Sequence, residues 1–283
     1  MNAPRQLPAS SFPEALQDLE AAAPRVLWIL GSEAALALRP CVAIVGTRRA
    51  TAYGLRVARE LGAAFARAGA CVVSGMAAGI DGAAHRGALD ARGTTIAVLA
   101  NGVDQPYPRS NRPIYDEIVR TGAVISELPA GSIGYQSTFL ERNRIIAALA
   151  PLTIVVEAPH GSGAMNTAKH ALALGRELAV VPGQIDQPQS AGSNQLLRDG
   201  AQLIATIEDA LALVGLTPPP RTPRAEPGSD EGLIWKALAD GALDMDGLCH
   251  RSGLPAAKCL AAVTRLEIAG SVECALTGEI RRR

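Results

Sequence analysis

Aromatic residues and lysine are scarce in this 283-residue chain. Phe, Trp and Tyr make up 3% of the sequence, and only three of the 27 basic residues are lysine. An aromatic residue inside a basic segment is therefore conspicuous. Apolar residues make up 48% of the chain, which is enough for a sizeable core and argues against wholesale disorder.

The chain also lacks the usual signs of export or membrane insertion. No apolar run reaches about 18 residues, and the N-terminus has no apolar segment typical of a secretory signal. The five cysteines show neither a CxxC motif nor metal-ligand spacing. We therefore expect reduced thiols, a cytoplasmic location, no membrane partner and no metal site.

Net charge is zero overall but is unevenly distributed. Residues 39–150 carry thirteen arginines against eight acids, whereas residues 230–283 carry seven basic residues against eight acids. Zero net charge alone does not favour a nucleic-acid partner. The excess of arginine in the first of these segments leaves such a partner open.

Apolar strands alternate with amphipathic helical segments from residue 41 onward. Strands are predicted at residues 41–45, 70–74, 94–99, 123–126, 152–157 and 178–181. Helices are predicted at residues 52–67, 81–91, 111–120, 138–149 and 164–174. This alternation is typical of βαβ units, so residues 39–215 are expected to form an α/β, extended Rossmann-like fold with a doubly wound, mostly parallel sheet. Residues 1–38 are predicted to form an N-terminal arm, with a helix near 14–22 and an edge strand or packed segment near 26–31.

A proline-rich linker at residues 216–229 is expected to precede a small C-terminal domain at 230–283. Helices predicted at residues 231–239, 245–251 and 255–269, followed by a hairpin at 271–280, indicate a winged-helix domain. Its third helix carries only two basic residues, Lys258 and Arg265. This favours a protein-contact or accessory role over sequence-specific duplex binding.

Three predicted strand-to-helix junctions consist largely of small residues. They are Gly46-Thr47-Arg48, the segment Ser74-Gly75-Met76-Ala77-Ala78-Gly79-Ile80-Asp81, and Gly161-Ser162-Gly163. Small residues let the backbone approach a ligand, and the free N–H groups of a helix N-terminus attract anions. Three such junctions on one parallel sheet predict a ligand with several phosphates. A nicotinamide dinucleotide is disfavoured, because the first junction lacks GxGxxG and no acidic residue ends the second strand.

Side chains near these junctions have competing interpretations. Arg48 is placed to hold a phosphate bidentately, although it could equally be a surface arginine beside a tight turn. Phe139, followed by Arg142-Asn143-Arg144, suits a base stacked on the ring with phosphates on the guanidinium groups. The alternative buries Phe139 in the core and pairs Arg142 with Glu141 or Glu127.

Asp81 and His85 share one helix face and are a conceivable acid/base pair. We prefer the interpretation in which Asp81 binds backbone N–H groups and His85 packs beside it.

Taken in order, these motifs resemble the DprA/Smf family of bacterial DNA-processing proteins. The resemblance covers roughly residues 26–213 and rests on residues 42–48, 74–81 with His85, 97–102, Tyr107-Pro108, Ser126-Glu127, Phe139 with 142–146, Ser162-Gly163, Thr167-Ala168, Gly175-Arg176, 181–183, 192–194 and Gly200-Ala201. One departure is Met165-Asn166, where the family usually carries two aliphatic residues.

The resemblance implies a homodimer that binds single-stranded DNA, protects incoming DNA and loads the recombinase RecA during natural transformation. It implies no catalytic residue, cofactor or metal. The residues expected to contact DNA are Gly46, Thr47, Arg48, Ser74, Gly75, Met76, Ala77, Gly79, Phe139, Arg142, Asn143, Arg144, Ser162, Gly163 and, about a turn and a half into the last helix, Lys169.

Two other functions fit the sequence less well. A nucleotide phosphoribohydrolase resembling the lysine-decarboxylase-like family would need a catalytic glutamate on the helix after its glycine-rich loop, and residues 168–174 contain none. A winged-helix transcription regulator with a nucleotide-sensing domain is disfavoured by the weakly charged third helix.

Overall fold

The computed structural model describes residues 3–217, 228–268, 270–275 and 278–282. The chain divides into two compact units, residues 1–217 and 218–283, which are described separately. The predicted linker at 216–229 falls mainly on residues 218–227, which lie outside the described residues.

The first unit is built on a nine-stranded sheet in the order β1-β2-β6-β5-β4-β3-β7-β8-β9. Strands β3 to β9 pair in parallel, whereas β1 and β2 are antiparallel additions beside β6. The strands are β1 (Arg5–Gln6), β2 (Trp28–Gly31), β3 (Cys41–Val45), β4 (Cys71–Ser74), β5 (Thr95–Val98), β6 (Ala123–Ser126), β7 (Leu152–Val155), β8 (Glu177–Val180) and β9 (Gln202–Leu203). The predicted doubly wound, mostly parallel sheet is thereby confirmed.

Helices cover both faces of this sheet. They are α1 (Ala52–Arg67), α2 (Ile80–Asp90), α3 (Arg112–Thr121), α4 (Gln136–Leu149), α5 (Gly163–Ala173), α6 (Ala191–Arg198) and α7 (Ile207–Ala212). Alternate residues of β3 explain the two layers. Cys41, Ala43 and Val45 join one buried cluster with residues of α4 and α5, while Val42 and Ile44 join another with α1 and α2.

The N-terminal segment is part of this unit. Leu7, Leu16, Leu19 and Leu27 are buried in the same apolar cluster as the α4 side of the sheet. The predicted helix near 14–22 is a 3₁₀ segment, Glu14–Ala22, which is kinked at Glu20. The predicted edge strand near 26–31 is β2, and it pairs with β6 through Trp28–Gly31.

The chain order of the strands places a crevice at one end of the sheet. The path runs from β3 outward through β4, β5 and β6, then returns to the other side of β3 as β7. Helices that follow β3 and β7 therefore leave on opposite faces, and their first residues separate at the carboxyl ends of these strands. Ligands of doubly wound sheets bind at such a switch point.

The second unit has three helices and a two-stranded wing. The elements are α8 (Asp230–Ala237), α9 (Met245–Ser252), α10 (Ala256–Ile268), β10 (Val272–Cys274) and β11 (Ile280–Arg282). Its core contains Ile234, Leu248, Val263, Val272 and Ile280, among others. This arrangement confirms the predicted winged helix.

Basic residues of the wing are engaged within the second unit. The Arg282 guanidinium lies 4.3 Å from the centre of the Trp235 ring and donates to the Trp235 carbonyl at 3.0 Å through Nε. Arg281 lies 3.3 Å from Glu273. Arg283, which follows Arg282 at the end of the sequence, lies outside the described residues. Across the described part of the chain, no helix combines the length and apolarity that a membrane crossing requires.

Candidate nucleic-acid interface

A cleft of about 660 Å³ opens at the switch point of the sheet. It lies between the turns that follow β3, β4 and β7, with α4 along one side. The cleft brings together nine of the residues predicted to contact DNA: Gly46, Thr47, Arg48, Ala77, Phe139, Arg142, Asn143, Ser162 and Gly163. The three small-residue junctions found in the sequence therefore meet at one place.

The turn after β3 is held by tight backbone contacts and by a buried carboxylate. A Cβ on Gly46 would lie 2.8 Å from the Glu157 carbonyl, so only glycine fits there. Thr47 donates its N–H to that carbonyl at 2.6 Å. The Glu157 carboxylate accepts the N–H and hydroxyl of Thr51 at 2.9 and 2.5 Å, at the start of α1. This fixed turn leaves the Arg48 side chain exposed at the mouth of the cleft.

The turn after β4 is organised by Asp81. Its carboxylate is buried and accepts the N–H groups of Gly75 and Ala77 at 3.1 and 3.4 Å. Met76, between them, has a positive φ of 62° and is fully buried. Burial raises the pKa of Asp81, while the nearby Arg142 guanidinium and the backbone donors oppose that rise. Asp81 thus serves the loop as a buried hydrogen-bond acceptor, as expected from its place in the first turn of α2.

His85 also has a packing role. Its Nδ1 lies 2.7 Å from the Thr95 hydroxyl, which donates to the Val72 carbonyl at 2.6 Å, so Nδ1 carries the proton. Complete burial, reinforced by the positive charge of Arg142, lowers the pKa of His85 to about 3. A neutral imidazole bound to Thr95 is not paired with Asp81, which favours the packing interpretation over the acid/base one.

Arg142 on α4 ties the ends of two strands together. The side chain is 6% exposed and donates through Nη1 to the carbonyl of Gly75 at 2.8 Å and to that of Val98. Burial lowers its pKa to about 10, with Asp81 acting in the opposite direction, so the group remains a cation near neutral pH. Its charge contributes to the floor of the cleft, while its hydrogen bonds are directed at backbone carbonyls. The alternative pairing of Arg142 with Glu141 or Glu127 does not occur.

Asn143 joins α4 to the start of α5. Its Nδ2 donates to the Gly163 carbonyl at 3.2 Å and to the Asn166 Oδ1 at 3.0 Å. Asn166 is the residue that departs from the family's aliphatic pattern, and here it fixes the Asn143 amide. Ser162 caps α5 by accepting the Met165 N–H at 3.4 Å. The N-terminal end of this eleven-residue helix therefore opens into the cleft with its partial positive charge.

Phe139 is the aromatic surface of the cleft. The ring is half-buried, with the guanidinium carbon of Arg48 at 5.1 Å and that of Arg142 at 5.9 Å from its centre. These distances are within the range of cation–π attraction. The ring belongs to the cleft wall, and the interpretation that placed it in the core does not describe its position.

Other predicted contacts lie outside the cleft. Arg144 points away, donating to both carboxylate oxygens of Glu127 at 2.7 Å and to the Ala22 carbonyl at 2.9 Å. Lys169 is exposed on α5 and does not line the cleft. The remaining four, Ser74, Gly75, Met76 and Gly79, support the turn behind the cleft surface: the Ser74 hydroxyl donates to the Ile44 carbonyl at 2.6 Å, and a Cβ on Gly79 would lie 2.9 Å from the Arg48 carbonyl.

Tyr107 was not among the predicted contacts. Its ring centre lies 5.6 Å from that of Phe139, with the two planes tilted by 56°. The scarcity of aromatic residues was the available signal, but Tyr107 is distant from Phe139 in sequence. Arg49, Gln136 and Thr167 also line the cleft, and none of them is among the residues predicted to contact DNA.

The fold and the cleft define a Rossmann-like α/β protein with an anion-binding site at the switch point of its sheet and an appended winged helix. Residues 6–215 match the family described as DNA recombination-mediator protein A, and residues 218–275 match the DprA winged helix domain. The chain belongs to this DprA/Smf family, as its motifs had indicated.

Relatives support this assignment along most of the chain. The chain is 43% identical over 260 residues to the DprA protein of Mycobacterium tuberculosis H37Rv, covering 89% of this chain and 67% of that protein. It is 34% identical over 253 residues to protein Smf of Escherichia coli K12, covering 86% and 68%.

A solved structure of DNA processing protein A from Streptococcus pneumoniae superposes with a TM-score of 0.70 at 34% identity, covering 74% of this chain and 73% of that one. A structure of the Helicobacter pylori protein gives 0.69 at 32% identity, covering 74% and 94%. The latter was determined to describe how that protein binds single-stranded DNA.

Proposed function

We propose that the cleft binds single-stranded DNA and that the protein acts as a mediator of DNA recombination. The observation that carries the proposal is the half-buried Phe139 ring, with the Arg48 guanidinium 5.1 Å from its centre, beside three backbone anion sites. A base can stack on this ring only if it is unpaired and its face is accessible. The guanidinium would then be available to a neighbouring phosphate.

Phosphates have several potential partners in the cleft. The start of α5 presents free N–H groups, and the turn after β3 presents Arg48 and Arg49 on a backbone held by Glu157. Backbone donors of this kind bind phosphodiesters without regard to base identity. We therefore expect binding that tolerates different sequences and weakens with salt.

The structure of the Helicobacter pylori protein, which was described for its single-stranded DNA binding, supports the binding part of the proposal. From family membership we further propose that this protein is a cytoplasmic homodimer that protects incoming single-stranded DNA and loads the recombinase RecA onto that strand during natural transformation. A strand whose bases and phosphates are held in a cleft is shielded from nucleases, which is consistent with the protective role.

A role without catalysis fits the chemistry of the cleft. Helix α5 carries no glutamate after its glycine-rich start, where a phosphoribohydrolase would need one. Asp81 and His85, the acid/base pair considered from the sequence, are engaged with loop N–H groups and with Thr95 respectively. Within the described residues, no three His, Cys, Asp or Glu side chains cluster closely enough to hold a metal ion.

Fluorescence anisotropy with matched single-stranded and double-stranded oligonucleotides, across a salt series, tests the proposal. We expect a preference for the single strand at every salt concentration and a linear fall of log affinity with log salt. Absence of binding, or a preference for the duplex, would contradict it and would direct attention to nucleotide hydrolysis or to the winged helix.

A further inference from the structure

Among the described residues, the exposed aromatic side chains lie at one end of the sheet, where the parallel strands have their carboxyl ends. Three tyrosines are more than a third exposed: Tyr53 at 37%, Tyr107 at 50% and Tyr135 at 69%. Tyr107 follows β5, Tyr135 follows β6, and Tyr53 lies in the first turn of the helix that follows β3. All three therefore stand at the carboxyl edge, where the cleft opens, although burial would be the usual location for such large rings.

Tyr107 continues the aromatic surface of the cleft. The centre of its ring lies 5.6 Å from that of Phe139, and Phe139 itself lines the cleft. Tyr135 is the exposed residue that precedes α4, the helix that carries Phe139. The aromatic surface thus extends from Phe139 to Tyr107, in the loop after β5.

The charge around Tyr107 also suits a nucleic-acid strand. Arg109 is exposed two residues farther along the chain. Asp116 is paired with Arg112 at 2.8 Å, while the Asp104 carboxylate accepts the Gly131 N–H at 2.8 Å and keeps its negative charge. Arg109 is therefore the cation that a phosphate near Tyr107 would use.

Tyr53, on the other side of the cleft, is placed differently. Its hydroxyl donates to the Pro182 carbonyl at 3.1 Å, and the Arg56 guanidinium carbon lies 5.6 Å from the ring centre. Tyr53 does not line the cleft, and the ring that contacts Phe139 is that of Tyr107. The aromatic surface of the cleft therefore continues toward Tyr107 and not toward Tyr53.

We propose that a bound single strand leaves the cleft across Tyr107, whose ring stacks an unpaired base next to the one on Phe139. The inference rests on the proposed function, because it extends the same binding site. The ligand class is single-stranded nucleic acid longer than the cleft itself, and the base on Tyr107 is held by its face, so it can be any of the four.

The test compares a short and a long oligothymidylate, of about 4 and about 16 nucleotides, by fluorescence anisotropy. For the long strand, Tyr107→Ala should lower affinity by about fivefold to 150-fold, as expected for one lost stacking contact. Tyr107→Phe keeps the ring and should bind the long strand like the wild type. Tyr53→Ala is the matched control on the same edge and should also bind normally.

A long strand whose nucleotides outside the centre are abasic has no base to stack on Tyr107, so it measures the contribution of that stacking to affinity. The wild type should lose affinity for it by the same factor as Tyr107→Ala loses for the intact strand, and Tyr107→Ala should not distinguish the two strands. The proposal is overturned if Tyr107→Ala binds the long strand normally, or if Tyr53→Ala loses affinity instead. Failure of the wild type to bind either strand would refute the proposed function itself, which is a separate outcome.

Discussion

Replacing Phe139 by alanine tests whether the ring serves to bind DNA or to stabilise the core. The ring is half-buried and shares contacts with Arg48 and Tyr107 at its exposed side. Base stacking on an aromatic ring contributes about 1–3 kcal/mol, so we expect a loss of affinity for single-stranded DNA of about fivefold to 150-fold. A fully buried Phe→Ala change costs about 3–5 kcal/mol of stability, and this ring should cost clearly less.

The assay pairs anisotropy with thermal unfolding of the same preparations. Phe139→Leu is the control, since leucine preserves most of the apolar burial and removes only the flat aromatic face. It should unfold close to the wild type and still bind DNA weakly. The reasoning is refuted if Phe139→Ala binds DNA with wild-type affinity but unfolds many degrees lower, because the ring would then be a core residue.

Three further outcomes are expected. Arg48→Ala should weaken DNA binding and reduce the slope of log affinity against log salt by about one, because one phosphate contact is lost; an unchanged slope in anisotropy would remove Arg48 from the interface. Arg144→Ala breaks the pair with Glu127 and should lower the free energy of unfolding by about 1 kcal/mol, measured by denaturant titration, while the salt slope stays unchanged. His85, whose pKa falls to about 3 on folding, takes up a proton when the chain unfolds below its ordinary pKa of about 6.5. The free energy of unfolding should therefore decrease as pH falls from about 6.5 to 5, by up to about 1.4 kcal/mol per unit, and His85→Gln should abolish this part of the slope.

Much of the fold could be predicted because the local hydrophobic pattern of each segment matches its position in the folded structure. Strands β3 and β6 and helix α1 have the predicted limits, and β4, β5, β7 and β8 differ from the predictions by one or two residues at their ends. The short strand β9 was not predicted. Continuous apolar runs of this length belong to buried parallel strands, and small residues after them mark the turns. The cleft could be placed for the same reason, since the topology of such a sheet determines where the turns converge.

The roles of individual side chains could not be read from the sequence in the same way. Arg142 and Arg144 are two positions apart on α4, so they leave the helix in different directions. One enters the cleft floor, and the other meets Glu127 on the outside. Which direction faces the sheet depends on how α4 packs, and that follows from contacts distant in sequence. The approach of Tyr107 to Phe139 likewise depends on the course of the loop after β5.

Strand β2 has a consequence for any shortened form of the protein. Its antiparallel pairing through Trp28–Gly31 covers the outer hydrogen-bonding edge of β6, and Leu27 beside it is buried. Without it, four residues of β6, Ala123–Ser126, would present unpaired N–H and C=O groups along an apolar strand. Exposed edges of that kind recruit strands from other molecules. A truncation that begins near residue 39 would retain the whole cleft and would be expected to self-associate through this edge and precipitate.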